Sequence, residues 1–209
     1  TYVPEDDNKD NAYVEFNLSD YDKKDSELIY YSSVEEAILN SPLNAENEEF
    51  SVPEDFLNHV DEILHIWNGK QYDTIFYRAG SDNDPVQGFV MARCKKQVDE
   101  ASVQYAFMNA TPVTTKADSI LISDITELIR SSLKLSDFQQ DLNPNYPDTR
   151  FVFGYAHDKE IYSLEVEGQK PDGVIEINVY DRTMYLWYYD DLKSDKRGNN
   201  LSYSVDMPE

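Results

Sequence analysis

The residues best suited to proton transfer, metal binding or nucleophilic attack are three histidines, His59, His65 and His157, and one cysteine, Cys94. His59 and His65 stand six apart, out of phase for one face of a helix, and no cysteine pair completes a zinc set. These spacings favour packed or solvated imidazoles. Cys94 cannot close an internal disulfide. It alternates with Val90 and Ala92, so it reads as a small buried hydrophobe; the alternative is a reactive thiol, because Arg93 and Lys95 would favour the thiolate. Asp6-x-Asn8-x-Asp10 opens like a calcium loop, then places Asn11 where glycine is needed and Asn17 where a bidentate glutamate should stand. Asp82 and Asp84, in the turn over 80–85, have the chemistry of a weak calcium site, though turn formation accounts for them. The sequence has no G-x-S-x-G, no phosphate-binding glycine loop and no G-x-G-x-x-G. With 41 acidic residues, carboxylate pairs arise by chance and single out no acid/base dyad. No catalytic residue, metal site or cofactor is assigned on this basis.

The strongest binding candidate is aromatic. In Val174–Tyr189, Val-Ile-Glu-Ile-Asn-Val-Tyr-Asp-Arg-Thr-Met-Tyr-Leu-Trp-Tyr-Tyr, the first strand alternates, with Ile175, Ile177 and Val179 opposite Val174, Glu176 and Asn178. The second has two apolar faces: Met184, Leu186 and Tyr188 on one, Tyr185, Trp187 and Tyr189 on the other. Loop parity decides how they combine. An even loop, such as Asp181–Arg182, pairs Val179 with Met184 and Ile177 with Leu186. It sets the row Tyr185, Trp187 and Tyr189 beside Glu176 and Asn178. An odd loop buries the row among the isoleucines. In the favoured even register the row is either a second core seam or a ligand platform rimmed by Glu176 and Asn178. Exposed aromatics on a rigid sheet stack on sugar rings or anchor peptides.

These residues need a scaffold, and the composition supplies one. The chain has 209 residues, 40% of them hydrophobic and 13% aromatic, enough for one domain or two small ones with a real core. No run approaches the roughly 18 apolar residues of a membrane span. The chain opens at Thr1, so an export signal or anchor could have been removed ahead of it, and its absence is uninformative about secretion. Net charge is −23. Residues 1–62 hold 18 acids against 3 bases, so the acidity concentrates in the N-terminal third. Residues 1–25 read as an acidic tail or linker. Nucleic acid and anionic membrane are disfavoured as partners, and a basic protein is allowed.

Along the chain, a strand is expected at Glu27–Tyr31, then a short helix from the capping box Ser33-Val-Glu-Glu36, with Val34, Ala37 and Ile38 on its apolar side. A meander of about four strands follows. It begins with Ile63, His65 and Trp67 on one face, turns at Asn68-Gly69, and continues through Gln71–Ala79, Gln87–Gln97 and Val103–Asn109. Thr111–Lys116 reads as loop. Asp124 opens a helix whose stripe is Ile125, Leu128, Ile129 and Leu133. Residues 136–149 form a connector. Strands are expected at Phe151–Tyr155, Ile161–Glu167, the hairpin and Leu201–Val205.

Ser33-Val-Glu-Glu-Ala-Ile38, Ile75-Phe-Tyr-Arg78 and above all Glu167-Gly-Gln-Lys-Pro-Asp172 leading into Tyr185-Leu-Trp-Tyr-Tyr189 resemble a loose group of small Firmicute proteins, exported or membrane-anchored, without assigned function. The resemblance spans roughly residues 30–200. It implies an extracellular or surface-anchored setting, as for a lipoprotein, with the acidic start as spacer, and brings no catalytic residues. The expected fold is α+β, mostly antiparallel sheet in two meander-like halves with a short N-terminal helix and one central helix. The divisions are 1–25, 26–142 and 143–209. The expected function is a non-enzymatic binding module for carbohydrate, peptide or a basic protein. Alternatives are an acidic inhibitor or immunity-type protein neutralising a basic partner, and an unrecognised hydrolase.

Overall fold

The computed structural model describes residues 25–41, 56–80, 88–114, 124–179 and 182–207. They form an α+β fold with two helices and antiparallel sheets. They divide into two compact units, one within Ser19–Leu121 and Asp141–Tyr146, the other within Ile122–Gln140 and Pro147–Glu209.

The first unit opens with α1, Val34–Asn40. The Glu36 N–H donates to Ser33 Oγ at 3.2 Å, as a capping box requires. The Glu36 carboxylate reaches one residue further back than expected, accepting from the Ser32 N–H and hydroxyl. Four strands follow, β1 (Val60–Asn68), β2 (Tyr72–Ala79), β3 (Gly88–Asp99) and β4 (Ser102–Thr114), in sequence order. β4 runs through Thr114, where a loop was expected from Thr111. Of the strand expected at Glu27–Tyr31, a single bridge forms, Tyr31 to Tyr105.

Register corrects the first strand. The β1–β2 ladder slips between Ile63 and His65. A bulge adds one residue and turns the following side chains over. Ile63 therefore shares a face with Ile66, against Ile75 and Tyr77, and not with His65 and Trp67. That face packs on Val34, Ala37 and Ile38 of α1, together with Val90, Ala92, Cys94 and Phe107.

The second unit is built on α2, Ile125–Leu135, where Asp124 accepts from the Thr126 N–H at 3.0 Å. Five strands follow: β5 (Val152–Ala156), β6 (Glu165–Val166), β7 (Gly173–Val179), β8 (Arg182–Tyr189) and β9 (Tyr203–Ser204). β5-β8-β7 make one sheet and β6-β9 a second ladder. Ile125, Ile129 and Leu133 of α2 join the core cluster of this unit, although the helix was expected to belong to the 26–142 half. The strand expected over Ile161–Glu167 is instead a 3-10 turn, Lys159–Ser163, followed by β6. The buried residues there, Ile161 and Leu164, repeat at three, which suits a 3-10 helix and not a strand.

The hairpin loop is even. Val179 pairs with Arg182, Ile177 with Met184 and Ile175 with Leu186. The pairs are offset by two from those expected, which preserves the faces.

Between β6 and β7 the chain makes a two-residue turn. Val166 and Gln169 exchange N–H···O bonds at 2.9 Å, with Glu167 at φ 52° and Gly168 at φ 71°. Positive φ at both central residues is the geometry of a tight hairpin turn, and glutamate adopts it only with support. The support is the Glu167 carboxylate, which accepts from the Ser202 N–H at 2.5 Å and hydroxyl at 2.8 Å, and pairs with Lys196 at 2.9 Å. Partial burial pushes its pKa up, but the Ser202 and Lys196 contacts outweigh that and hold it below the ordinary 4.5. A lowered folded-state value means that the unfolded chain binds the proton more tightly. The stabilisation from this group is therefore present above about pH 4.5 and is lost as pH falls through the lowered value. Glu167→Gln should lower the urea midpoint at pH 7 and shrink the loss on acidification to pH 3. Parallel loss in both proteins would show that the clamp contributes nothing.

Candidate functional site

The aromatic row lines the core. Trp187 is 0% exposed, Tyr189 2% and Tyr185 9%. Opposite them on β5 stand Val152, Gly154 and Ala156, and Val174 on β7 is packed against the same cluster. The Trp187 and Tyr189 rings meet edge to face at 6.2 Å. The Tyr189 hydroxyl donates to Gln169 O at 2.9 Å and accepts from the Val166 N–H at 3.2 Å. The ligand platform expected of Tyr185, Trp187 and Tyr189 is thus corrected to a core seam: α2 and the 159–166 segment supply the apolar cover that an exposed row would lack. Glu176 and Asn178, its expected rim, are exposed because β7 is the outer strand of its sheet.

The other sequence candidates separate. His65 packs edge-on against Trp67 at 4.5 Å, His59 is exposed and His157 half-buried. Cys94 is fully buried; burial, reinforced by the Asp73 carboxylate, pushes its thiol well above the ordinary range. The cations that might have activated it are engaged elsewhere. Arg93 lies over the Tyr72 ring at 3.7 Å and donates to Asp141 O at 3.0 Å, and Lys95 pairs with Asp25 at 2.5 Å. Asp6, Asn8, Asp10, Asp82 and Asp84 lie outside the described residues. Among the described residues no three His, Cys, Asp or Glu side chains are grouped to hold a metal, and no helix is long and apolar enough to cross a membrane.

What reaches the surface is one end of the row. The Tyr185 ring is covered, and negative charge nearby acts on its phenol. Glu176 is its cross-strand partner on β7, and burial followed by Glu176, Tyr162, Glu160 and Asp158 raises the phenol pKa. Among the described residues the Tyr185 hydroxyl makes no hydrogen bond, and Asp158, Glu160 and Glu176 form no ion pair. Asp158 occupies the cap position of the Lys159–Ser163 turn without capping it through its side chain. Tyr162 stands beside them, 55% exposed, its ring 5.6 Å from that of Tyr185 at 74°. An open depression of about 460 Å³ runs past Tyr162, lined also by Lys159, Glu160, Ser163, Lys170 and Asp206.

Turn and sheet cooperate in building this site. The 3-10 turn buries Ile161 and thereby projects Tyr162 outward, with Asp158 and Glu160 flanking it. Of the residues expected from sequence, Tyr185 and Glu176 take part, and Trp187, Tyr189 and Asn178 do not. Tyr162, Asp158 and Glu160 were missed. Their signal was the run His157-Asp-Lys-Glu-Ile-Tyr162, too charged for the start of a buried strand. No protein-family model, no curated protein and no solved structure matches this chain.

Proposed function

We propose that this chain is a non-enzymatic, extracytoplasmic binding module for a basic protein or peptide, docked on the carboxylates Asp158, Glu160 and Glu176 around Tyr162 and the Tyr185 hydroxyl. The observation that carries the reading is the half-exposed Tyr162 ring, held edge to face on Tyr185, on a surface that also carries Asp158, Glu160 and Glu176, none of which has an ion-pair partner among the described residues. A cationic group from outside would be attracted to this acidic surface. An exposed tyrosine provides the amphipathic anchor common in protein interfaces. The same surface supports the inhibitor reading, in which the basic partner is neutralised. The described residues alone carry 24 acids against 14 bases, so the negative field does not depend on the first 25 residues. The extracytoplasmic setting rests on the short-motif resemblance, for which a surface-exposed binding role is a natural fit.

The test is titration of a mixed arginine–lysine peptide into the full chain and into Glu160→Lys/Glu176→Lys. Affinity should fall roughly tenfold or more in the variant, whose circular dichroism should match the parent. A chain lacking residues 1–25 should keep most of the affinity. Unchanged binding in the double variant, or loss of binding on removing the tail, overturns the site.

A further inference from the structure

Resting on the basic-partner reading for the charge of the ligand, we propose that the outer edge of β7 takes up an extended basic segment of the partner as an added antiparallel strand, with a lysine or arginine opposite Glu176. An outer strand offers a row of N–H and C=O groups to any extended chain, and native sheets blunt such rows with bulges, proline, lysine or shortness. β1 slips register twice. β4 slips once, is bridged by Tyr31 and contains Pro112, which has no N–H to offer. β5 is five residues long with Gly154 at its centre, and β6 and β9 are two residues each. β7 has none of these devices. It runs seven residues, Gly-Val-Ile-Glu-Ile-Asn-Val, in unbroken register with β8 and without proline or lysine.

The hairpin fixes which backbone groups face outward. Its two-residue loop closes on the Val179–Arg182 pair, which exchanges both hydrogen bonds. Bonded pairs then recur at every second residue, at Ile177, Ile175 and Gly173. The N–H and C=O groups of Val174, Glu176 and Asn178 therefore point away from β8. Among the described residues no hydrogen bond reaches them. The side chains of Glu176 and Asn178 are exposed.

Charge selects the occupant. Residues directly opposite on paired strands stabilise the pair when their charges differ in sign and destabilise it when they match. A second copy laid antiparallel in full overlap sets Glu176 against its own counterpart, and two chains of net charge −23 repel at longer range. A basic strand does the reverse on both counts. Its side chains next to that cation turn to the other face of the sheet, beside Ile175 and Ile177. The segment recognised thus alternates basic with β-branched apolar residues, and its backbone supplies the added ladder.

The test titrates a blocked peptide of alternating lysine and valine into the full chain and into Asn178→Pro. That substitution removes one outward N–H, keeps every carboxylate and spares the bonds to β8. Affinity should fall about fivefold, the size of one lost hydrogen bond, with an unchanged circular dichroism spectrum. Two N-methylated peptides test the backbone without touching the protein, and their equal charge cancels the contribution of the acidic N-terminal residues. Methyl groups on the lysine backbone nitrogens remove the N–H groups aimed at β7 and should lower affinity about tenfold or more. Methyl groups on the valine backbone nitrogens point to solvent and should change it by less than about twofold. The peptides decide alone if the spectrum of the variant changes. Equal effects of the two methylation patterns, or full affinity in a folded Asn178→Pro, overturn strand addition and leave the basic-partner reading standing. No binding of the unmodified peptide overturns both. A concentration-dependent dimer of the parent chain that is lost in Asn178→Pro assigns the edge to a second copy and overturns the basic occupant.

Discussion

Trp187→Ala should cost about 3–5 kcal/mol, the usual range for emptying a large aromatic site in a packed core. Against a total stability of roughly 5–15 kcal/mol this leaves the second unit marginal or unfolded. The ring is fully buried between Val152, Ala156 and Tyr189 of its own sheet and the apolar side of α2, so the cavity would be lined by elements that cannot close over it without moving the helix. Among the described residues its indole N–H makes no hydrogen bond. Trp187→Phe, which removes that unsatisfied donor while keeping most of the ring, should therefore cost much less than alanine. Urea denaturation followed by circular dichroism separates the two. An alanine variant with an unchanged midpoint would mean that the row is not the core seam described. Tyr162→Ala, at the surface a few residues from the same cluster, should leave the midpoint within about 0.5 kcal/mol of the parent, as exposed substitutions usually do.

The second large effect is at Gly154. A Cβ there would lie 2.3 Å from Ser132 Oγ on α2 and 2.4 Å from the Trp187 ring. Gly154 is thus what lets the helix lie close on the sheet. Gly154→Ala should cost about 1–3 kcal/mol through overpacking, seen as a lower melting temperature. The serine hydroxyl could rotate away, but the buried indole cannot. Adding Ser132→Gly should accordingly recover only part of the loss. Full recovery would assign the clash to the helix alone, and no loss at all would show that the sheet–helix spacing is looser than described.

How much of this was legible in the chain depended on range. Both helix starts were, because Ser33 with Glu36 and Asp124 with Thr126 act within a few residues. The even parity of the 174–189 hairpin is favoured by the chain but not fixed by it, since β8 is apolar on both faces and can set either of them beside the isoleucines of β7. Which face of β8 would be covered was not legible. Both faces are apolar, and the cover over Trp187 comes from α2, some fifty residues earlier in the chain. The bulge between Ile63 and His65 was hidden for a related reason: Ile63, Leu64, His65, Ile66 and Trp67 tolerate either side of a sheet, so alternation alone could not locate the slip. The candidate site was half legible. Tyr185 and Glu176 were picked for an aromatic platform and serve at its surface end. Tyr162 is hidden by the strand-like pattern of Ile161–Glu167, in which period two turns it inward with Leu164.

The sealed thiol on β3 has a practical meaning. Cys94 is the only cysteine in the chain, and it lies in the cluster between α1 and the first sheet. A thiol held protonated and out of reach of solvent is alkylated only during excursions that lift the helix or part the strands. The rate of its modification in native buffer therefore acts as a clock for the opening of the first unit, with no engineered label and no competing signal from the Tyr162 surface.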